Sequence, residues 1–503
     1  MRLTRILVFL LLFISMLIVH ASDVKAQQII QLTLDSAADI AINNSYRTKT
    51  LEMDIERSMY RLEAERAGLK TQVYANLKTP DLKNISDYKW NSILKRDEIV
   101  RQNSNLWQSD FSIRHPVILF GYPTNGYLSL NNRLYRYNQL INGDSEIDYY
   151  NRLYLKYEQP LFLPNELKND LEEAELDLRY IKLNYISNRL GIIEDIVDDY
   201  YDIFSIIYFN GIYEKQLDVL QSIYEIASRF ASGDSARKIE SMQVQLAITN
   251  VRENLLSNQS RLREEISDLK QKLRLDFEDS IIVKPTIQLN PITVDLDEAI
   301  KYGFDNSIQL QRFNISKRRT GINVENEKGR NAFHMTLEVT YGLEKKDKEY
   351  FNLVNQYDNS NSITLNAFIP VWDGGRRKAR VQAAQVNIRR RGLEIDDEKQ
   401  EIRNDIINTY TDLNEYYERS INMGLSVQTA KEVTDIRIAQ YGRGEITIQD
   451  LLQTVDSYEE TEERFINVYL GYRLSLLELM GQTYYDYEKG MSLFDEFELE
   501  YKN

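Results

Sequence analysis

The chain has 503 residues, a formal net charge of −15, three histidines and no cysteine. The missing cysteine excludes disulfides, thiolate metal sites, cysteine nucleophiles and a lipid carried on a first mature cysteine. The acidic balance argues against nucleic acid as a partner, and three scattered histidines, His20, His115 and His334, offer no cluster for a metal or a proton relay.

Arg2 and Arg5 precede an apolar run from Ile6 to Val19, and Val24 and Ala26 supply small residues for cleavage, so residues 1–26 are expected to be a secretory signal peptide. Its removal leaves 59 cationic against 76 acidic side chains, a net −17. No later apolar stretch approaches the length of a membrane-crossing helix, so the mature chain is either soluble or crosses a bilayer as β-structure.

TLDSAADIAINNS, from Thr33 to Ser45, reads as an opening helix. After it, residues 81–150 are expected to be an extended loop holding one poorly patterned strand at Leu128, Leu130 and Leu134. A clearer strand alternates Leu153, Leu155 and Tyr157 with Arg152, Tyr154, Lys156 and Glu158. From Asn165 to Lys284 there is no proline, and Ile186, Leu190, Ile193, Val197, Tyr200, Phe204 and Ile207 step by fours and threes, which predicts a long helix with one packing seam. The stepping resumes with Tyr213, Leu217, Leu220, Tyr224 and Ala227, and RFASGD, carrying Gly233, marks a break where the helix turns back. Among these helical residues Glu194, Asp195, Asp198 and Asp199 read as a solvated or pore-lining face.

A second pass through the same plan follows. DLDEAIKYGFDNS, from Asp295 to Ser307, lies 262 residues after its counterpart and opens with the capping residues Asp295 and Glu298. Leu337, Val339, Tyr341 and Leu343 alternate with polar neighbours, as do Ile363, Leu365, Ala367 and Ile369, which predicts a hairpin. The alternation suits a soluble sheet with one buried face or a membrane strand between two media. Asp373, Gly374 and Gly375 form the bend into another proline-free region, beside Trp372, and Phe162 stands at the matching bend of the first half. Both aromatics fit an interfacial belt or ordinary packing. Gly442 and Gly444 mark the second helix reversal, and an acidic tail, residues 483–503, ends the chain.

The halves match in spacing as well as pattern. Pro160 pairs with Pro370 and Gly233 with Gly444, separated by 73 and 74 residues, so two rising helices of nearly equal length are expected, each roughly 110 Å if unbroken. The offset falls from 262 to 210, leaving 52 extra residues in the first half. The chain therefore reads as a first helix and strand repeat over residues 27–290 and a second over 291–482. Four strands cannot close a barrel alone, so their edges require partner chains or a cover.

The duplicated starts LTLDSA and VDLDEA, the passage IPVWDGGRRKARVQAA and the segment from AQYGRGEITIQDLLQ to LLELMG together resemble the TolC-like outer-membrane efflux proteins, over roughly residues 30–482. The resemblance implies a mostly α fold with a membrane β part: a homotrimer in which each protomer gives four strands to a twelve-stranded barrel in the outer-membrane bilayer. It further implies helices forming a periplasmic tunnel, a periplasmic adaptor, an inner-membrane transporter, no cofactor and no enzymatic activity. The family's entrance constriction falls on Asp450, with Gln453 one turn later and Glu240 beside Ile239 in the first half; a solvated helix residue is the alternative for Asp450. A non-channel helical rod that acts as a scaffold is the other function this pattern suits.

Overall fold

The computed structural model describes residues 29–141, 144–232, 237–276 and 278–493, apart from 285 and 288. The signal peptide and residues 494–503 of the acidic tail lie outside the described residues. Contacts divide the chain into two units, residues 51–184 with 308–400, and residues 1–50 with 185–307 and 401–503.

The first of these units is built on one six-stranded antiparallel sheet. Its strands are β2 (Gln72–Asn91), β3 (Arg96–Leu119), β4 (Tyr122–Ile141), β5 (Asp144–Leu161), β7 (His334–Asp347) and β8 (Asp358–Phe368), hydrogen-bonded in that order. The expectation of four strands per chain is corrected to six, and that of an extended loop at residues 81–150 to the larger parts of β2, β3 and β4 and the start of β5, with turns at 92–95 and 120–121. Prolines and charges hid the extra hairpin. Pro80 lies on β2, an edge strand, at a register shift between Lys78 and Asp81, and Pro116 at one near the end of β3. At an edge or a bulge the missing N–H removes no ladder bond.

The second unit holds most of the length of the two long helices. The opening helix α1 (Leu34–Asn44) leads directly into α2 (Tyr46–Gly68), and α5 (Leu296–Asn306) leads in the same way into α6 (Ile308–Gly329). Between them run α3 (Glu166–Ala231) and its return helix α4 (Lys238–Leu273). The second half repeats this with α7 (Arg376–Gly442) and α8 (Ile448–Thr483). The rising helices have 66 and 67 residues and both return helices have 36, as the matched spacings require.

Single residues explain the duplicated motifs. Thr33 closes a capping box with Ser36, and Asp295 accepts the Glu298 N–H at 2.9 Å. Asn44 donates its amide to the Leu273 carbonyl at 3.3 Å, and Asn306 donates to the Thr483 carbonyl at 3.1 Å. Each repeat thus clamps the last carbonyl of its return helix, a group left without an intrahelical partner. Both helices then end on a left-handed residue, Arg274 and Tyr484. Short parallel strands β1 (Ile29–Leu32) and β6 (Ser280–Val283) lie beside the first clamp. At the second, β9 (Tyr485–Asp486) pairs with β10 (Met491–Ser492), Tyr485 stacks on Tyr302 and Glu488 binds Arg473. The tail therefore packs back on the helices as far as it is described.

The single seam expected on α3 becomes two stripes. Ile192, Ile196 and Ile203 join a core with Leu269 and Leu273 of α4, whereas Val197, Tyr201 and Phe204 join Tyr469 of α8. A helix packed between two others buries a wider arc than a two-helix seam, so neighbouring rows are both apolar. Truncating either clamp, Asn44→Ala or Asn306→Ala, is expected to lower stability by about 1 kcal/mol, read as a fall in the thermal midpoint; an unchanged midpoint in both variants would show that the clamps do not stabilise the helix ends.

Candidate functional site

Two places concentrate features that packing alone does not require: the faces of the sheet and the helix reversals. One hydrogen-bonded row of the sheet runs Gln72, Arg114, Ser129, Lys156, Thr340 and Ser362, polar at every strand. Residues two apart from it share its face. There Arg133 binds Asp110 at 2.6 Å, Ser112 donates to Asn131 at 2.6 Å, and Lys156 bridges Glu158 and Glu338 at 2.9 and 3.0 Å. Tyr150 donates to Glu344 at 2.7 Å, and Thr340 and Ser362 share a hydrogen bond of 2.6 Å. The opposite face carries Val73, Ile113, Phe111, Leu130, Leu155, Leu153, Val339, Leu337, Ile363 and Leu365.

A soluble sheet would cover that apolar face. Here Leu77 is 71% and Ile363 79% exposed, and Leu128, Leu130, Leu153, Leu155, Tyr341 and Leu365 are exposed as well. At the end of the sheet where β5 and β8 leave for α3 and α7, Phe120, Tyr122, Phe162, Phe333 and Trp372 are also exposed. Phe162 lies 5.6 Å from Phe333, ring centre to ring centre. Trp372 precedes the bend held by Asp373, which accepts from the Gly375 and Arg377 amides at 2.9 Å each. The arrangement suits an apolar band ending in an aromatic girdle.

At the second reversal α7 ends on Gly442, and of the two glycines only Gly444 takes the left-handed conformation, φ 76°. The Gly444 and Glu445 amides close the helix on the Tyr441 and Gln440 carbonyls at 2.8 and 3.0 Å. Arg443 grips Glu445 with two hydrogen bonds, so its guanidinium is engaged within the turn. Thr447 caps α8 in a capping box with Asp450, whose carboxylate accepts the Thr447 hydroxyl at 2.7 Å and its amide at 3.3 Å. The Thr447 hydroxyl, above all, holds the Asp450 carboxyl below its ordinary range. Asp450 and Gln453 are both exposed. Gly233, in the first reversal, lies outside the described residues.

Glu240 is engaged by a side chain from the second half. It accepts the Tyr441 hydroxyl at 2.8 Å, and Tyr441, 2% exposed, packs edge-on against Phe230. Tyr441 sits in a core with Leu220, Ile223, Val244, Ile248, Ile448 and Leu451, drawn from all four long helices. The hydrogen bond thereby ties the end of α7 to the start of α4.

A feature the sequence reading missed lies farther along α8. Glu462 accepts from Tyr458 at 3.0 Å and pairs with Lys215 at 3.5 Å, Glu463 accepts from Tyr213 at 3.0 Å, and Gln216 donates to Glu459. Burial pushes the Glu459 carboxyl up to about 7, with Glu463, Asp456 and Glu460 adding to it. The partners Tyr213, Lys215 and Gln216 come from α3 and Tyr458 from α8 itself, so the spacing along α8 does not disclose them. Of the acids singled out in the sequence, Asp199 binds Lys272 at 2.7 Å, while burial raises Glu194 and Asp198.

The Glu459 shift has a stability consequence. Its folded pKa lies above that of an unfolded glutamate, so its contribution is full below the ordinary carboxylate range and is lost as the pH rises through about 7. Glu459→Gln is expected to flatten the fall of the thermal midpoint between pH 5 and 8, by on the order of 1 kcal/mol once solvent screening of a half-exposed group is allowed for.

The comparisons agree with this geometry. Residues 307–481 match the family described as outer membrane efflux protein. No curated protein matches the chain in sequence. Among solved structures, the Campylobacter jejuni CmeC outer membrane channel is 13% identical at a TM-score of 0.63, covering 92% of this chain and 89% of that one. The Vibrio cholerae outer membrane protein VceC is 13% identical at 0.64, covering 90% and 95%. CusC, described for its transmembrane channel formation, is 10% identical at 0.64, covering 90% and 92%. Residues 307–481 thus resemble the outer membrane efflux protein family, and the described chain shares the fold of the solved outer membrane channels CmeC and VceC.

Proposed function

We propose that the chain is a passive exit duct: three copies close a barrel through the outer membrane, and their helices form a periplasmic tunnel that an adaptor and an inner-membrane pump engage. The observation that carries this is the two-faced sheet. Its polar face is saturated with ion pairs and hydrogen bonds, as the lining of a water-filled lumen is, while its apolar face is left exposed as a surface for lipid. The work proposed is conduction and docking, in a tripartite efflux or type I secretion system, and not bond chemistry. Asp450 is proposed as an entrance residue in addition to its capping role, its low pKa keeping it charged.

Two experiments separate these statements. In outer-membrane preparations Leu155→Arg, on the apolar face, is expected to cost about 2 to 4 kcal/mol of barrel stability and to abolish heat-resistant trimers, whereas Tyr154→Arg, its neighbour on the polar face, leaves them intact. Equal tolerance of both, or a water-soluble monomer recovered without detergent, would sink the duct and favour a rod-like scaffold. In planar bilayers Asp450→Asn should change ion selectivity by several-fold while Thr447→Ala, which removes the cap but not the charge, should not; matching effects of the two would reduce Asp450 to a helix cap.

A further inference from the structure

The six-stranded sheet has two open edges, β2 and β8. Backbone groups on an open edge find no partner in a bilayer, so both edges must be met. β2 runs away from the helical end of the sheet and β8 runs back toward it, because α2 precedes the one and α7 follows the other. Brought together, the β2 edge of one copy and the β8 edge of another are antiparallel, like every other pair in the sheet.

The register of that contact can be read from the apolar band. Relative to the hydrogen-bonded row from Gln72 to Ser362, the apolar residues of β8, Ile363, Leu365 and Ala367, lie on the helical side. Those of β7 and β5 straddle the row, with Leu337, Val339, Tyr341 and Leu343 on one and Leu153, Leu155 and Tyr157 on the other. On β2 they lie wholly beyond it, at Val73, Ala75 and Leu77. The band therefore climbs about one residue per strand, and with a rise near 3.3 Å and a spacing near 4.8 Å that is a strand tilt of roughly 35° to 40°, the slant of a closed barrel.

We propose that β2 is the docking edge for β8 of a second copy, with Val73 opposite Ala367, Ala75 opposite Leu365 and Leu77 opposite Ile363, so that each chain gives six strands to the wall. This pairing sets Asn76 against Thr364, Tyr74 against Asn366 and Lys78 against Ser362 on the polar face, and a slip of one residue would set apolar against polar throughout. The ladder ends where the bulge between Lys78 and Asp81 brings in Pro80, which has no N–H to offer. The inference rests on the trimeric duct proposed above and departs from the twelve strands implied by the family resemblance. Three copies of this sheet make eighteen strands, a size that leaves an aqueous channel, with a diameter about half as large again as twelve would give.

Because the chain has no cysteine, introduced pairs report without background. Ala75→Cys with Leu365→Cys, oxidised in outer-membrane vesicles, is expected to give covalent dimers and trimers on non-reducing gels, as is Leu77→Cys with Ile363→Cys. Leu130→Cys with Leu365→Cys tests the competing arrangement, in which the β2 and β3 hairpin peels away and β4 becomes the edge. Trimers cross-linked only through Leu130, or trimers cross-linked through no pair, would overturn the six-strand wall while leaving the duct standing. A monomer would overturn both. Hydrogen exchange on the unmodified trimer gives an independent reading: the amides of residues 73–78 should all exchange slowly, and rapid exchange at alternate positions would show β2 to be a free edge.

Discussion

The hydrogen-bonded register of the six-stranded sheet constrains everything else in this protein. By fixing Gln72, Arg114, Ser129, Lys156, Thr340 and Ser362 in one row, it gathers the polar side chains of six strands on one face and the apolar ones on the other. The cross-strand ion pairs on the polar face join residues brought close by that register, such as Lys156 with Glu338 across β5 and β7. The same register leaves Leu155, Leu130 and Ile363 facing outward together. Apolar area of that extent calls for lipid or another protein surface to cover it, which is the ground on which the duct is proposed.

The helices answer to a different constraint, the unpaired groups at their ends. Asn44 and Asn306 satisfy the last carbonyls of the return helices, Thr33, Asp295 and Thr447 satisfy first-turn amides, and Gly444 permits the reversal. Asn44 and Asn306, like Thr33 and Asp295, recur because both halves repeat those helix ends, whereas the N-cap of α4, Arg237, makes no side-chain capping bond like that of Thr447. The long faces between them carry fewer individual requirements, which is why the halves diverge there.

Near the reversals, stability and response meet in the same residues. Tyr441 is buried among residues of all four long helices, yet its hydroxyl reaches Glu240, so separating the two hairpins would break one hydrogen bond and open an apolar core. The acidic cluster of Glu459, Glu462 and Glu463 is held by Tyr213, Lys215, Gln216 and Tyr458 in a half-buried setting. Charge on Glu459 is costly there, which makes this contact the softer of the two toward pH. Asp450, in contrast, is charged, exposed and structurally engaged at once.

Sequence alone determined the paired helix starts, the near-equal lengths of the long helices, the cap at Asp295 and four of the strands, because each is written in local periodicity and in the spacing of prolines and glycines. The same spacing sets Trp372, Phe162 and Gly444 near bends, and in the structure Phe162 and Gly444 take positive φ. Tertiary structure decided what depends on partners distant in the chain. The hairpin of β2 and β3 was invisible because Pro80, Pro116 and a charged stretch break the alternation, and only cross-strand pairing shows that both prolines sit at irregularities in the ladder. Glu240 accepts a hydrogen bond from Tyr441, 201 residues away, which its own neighbours in sequence do not disclose. Strand count, the slant of the apolar band and the protonation of Glu459 are all properties of neighbours across space, and no local pattern encodes them.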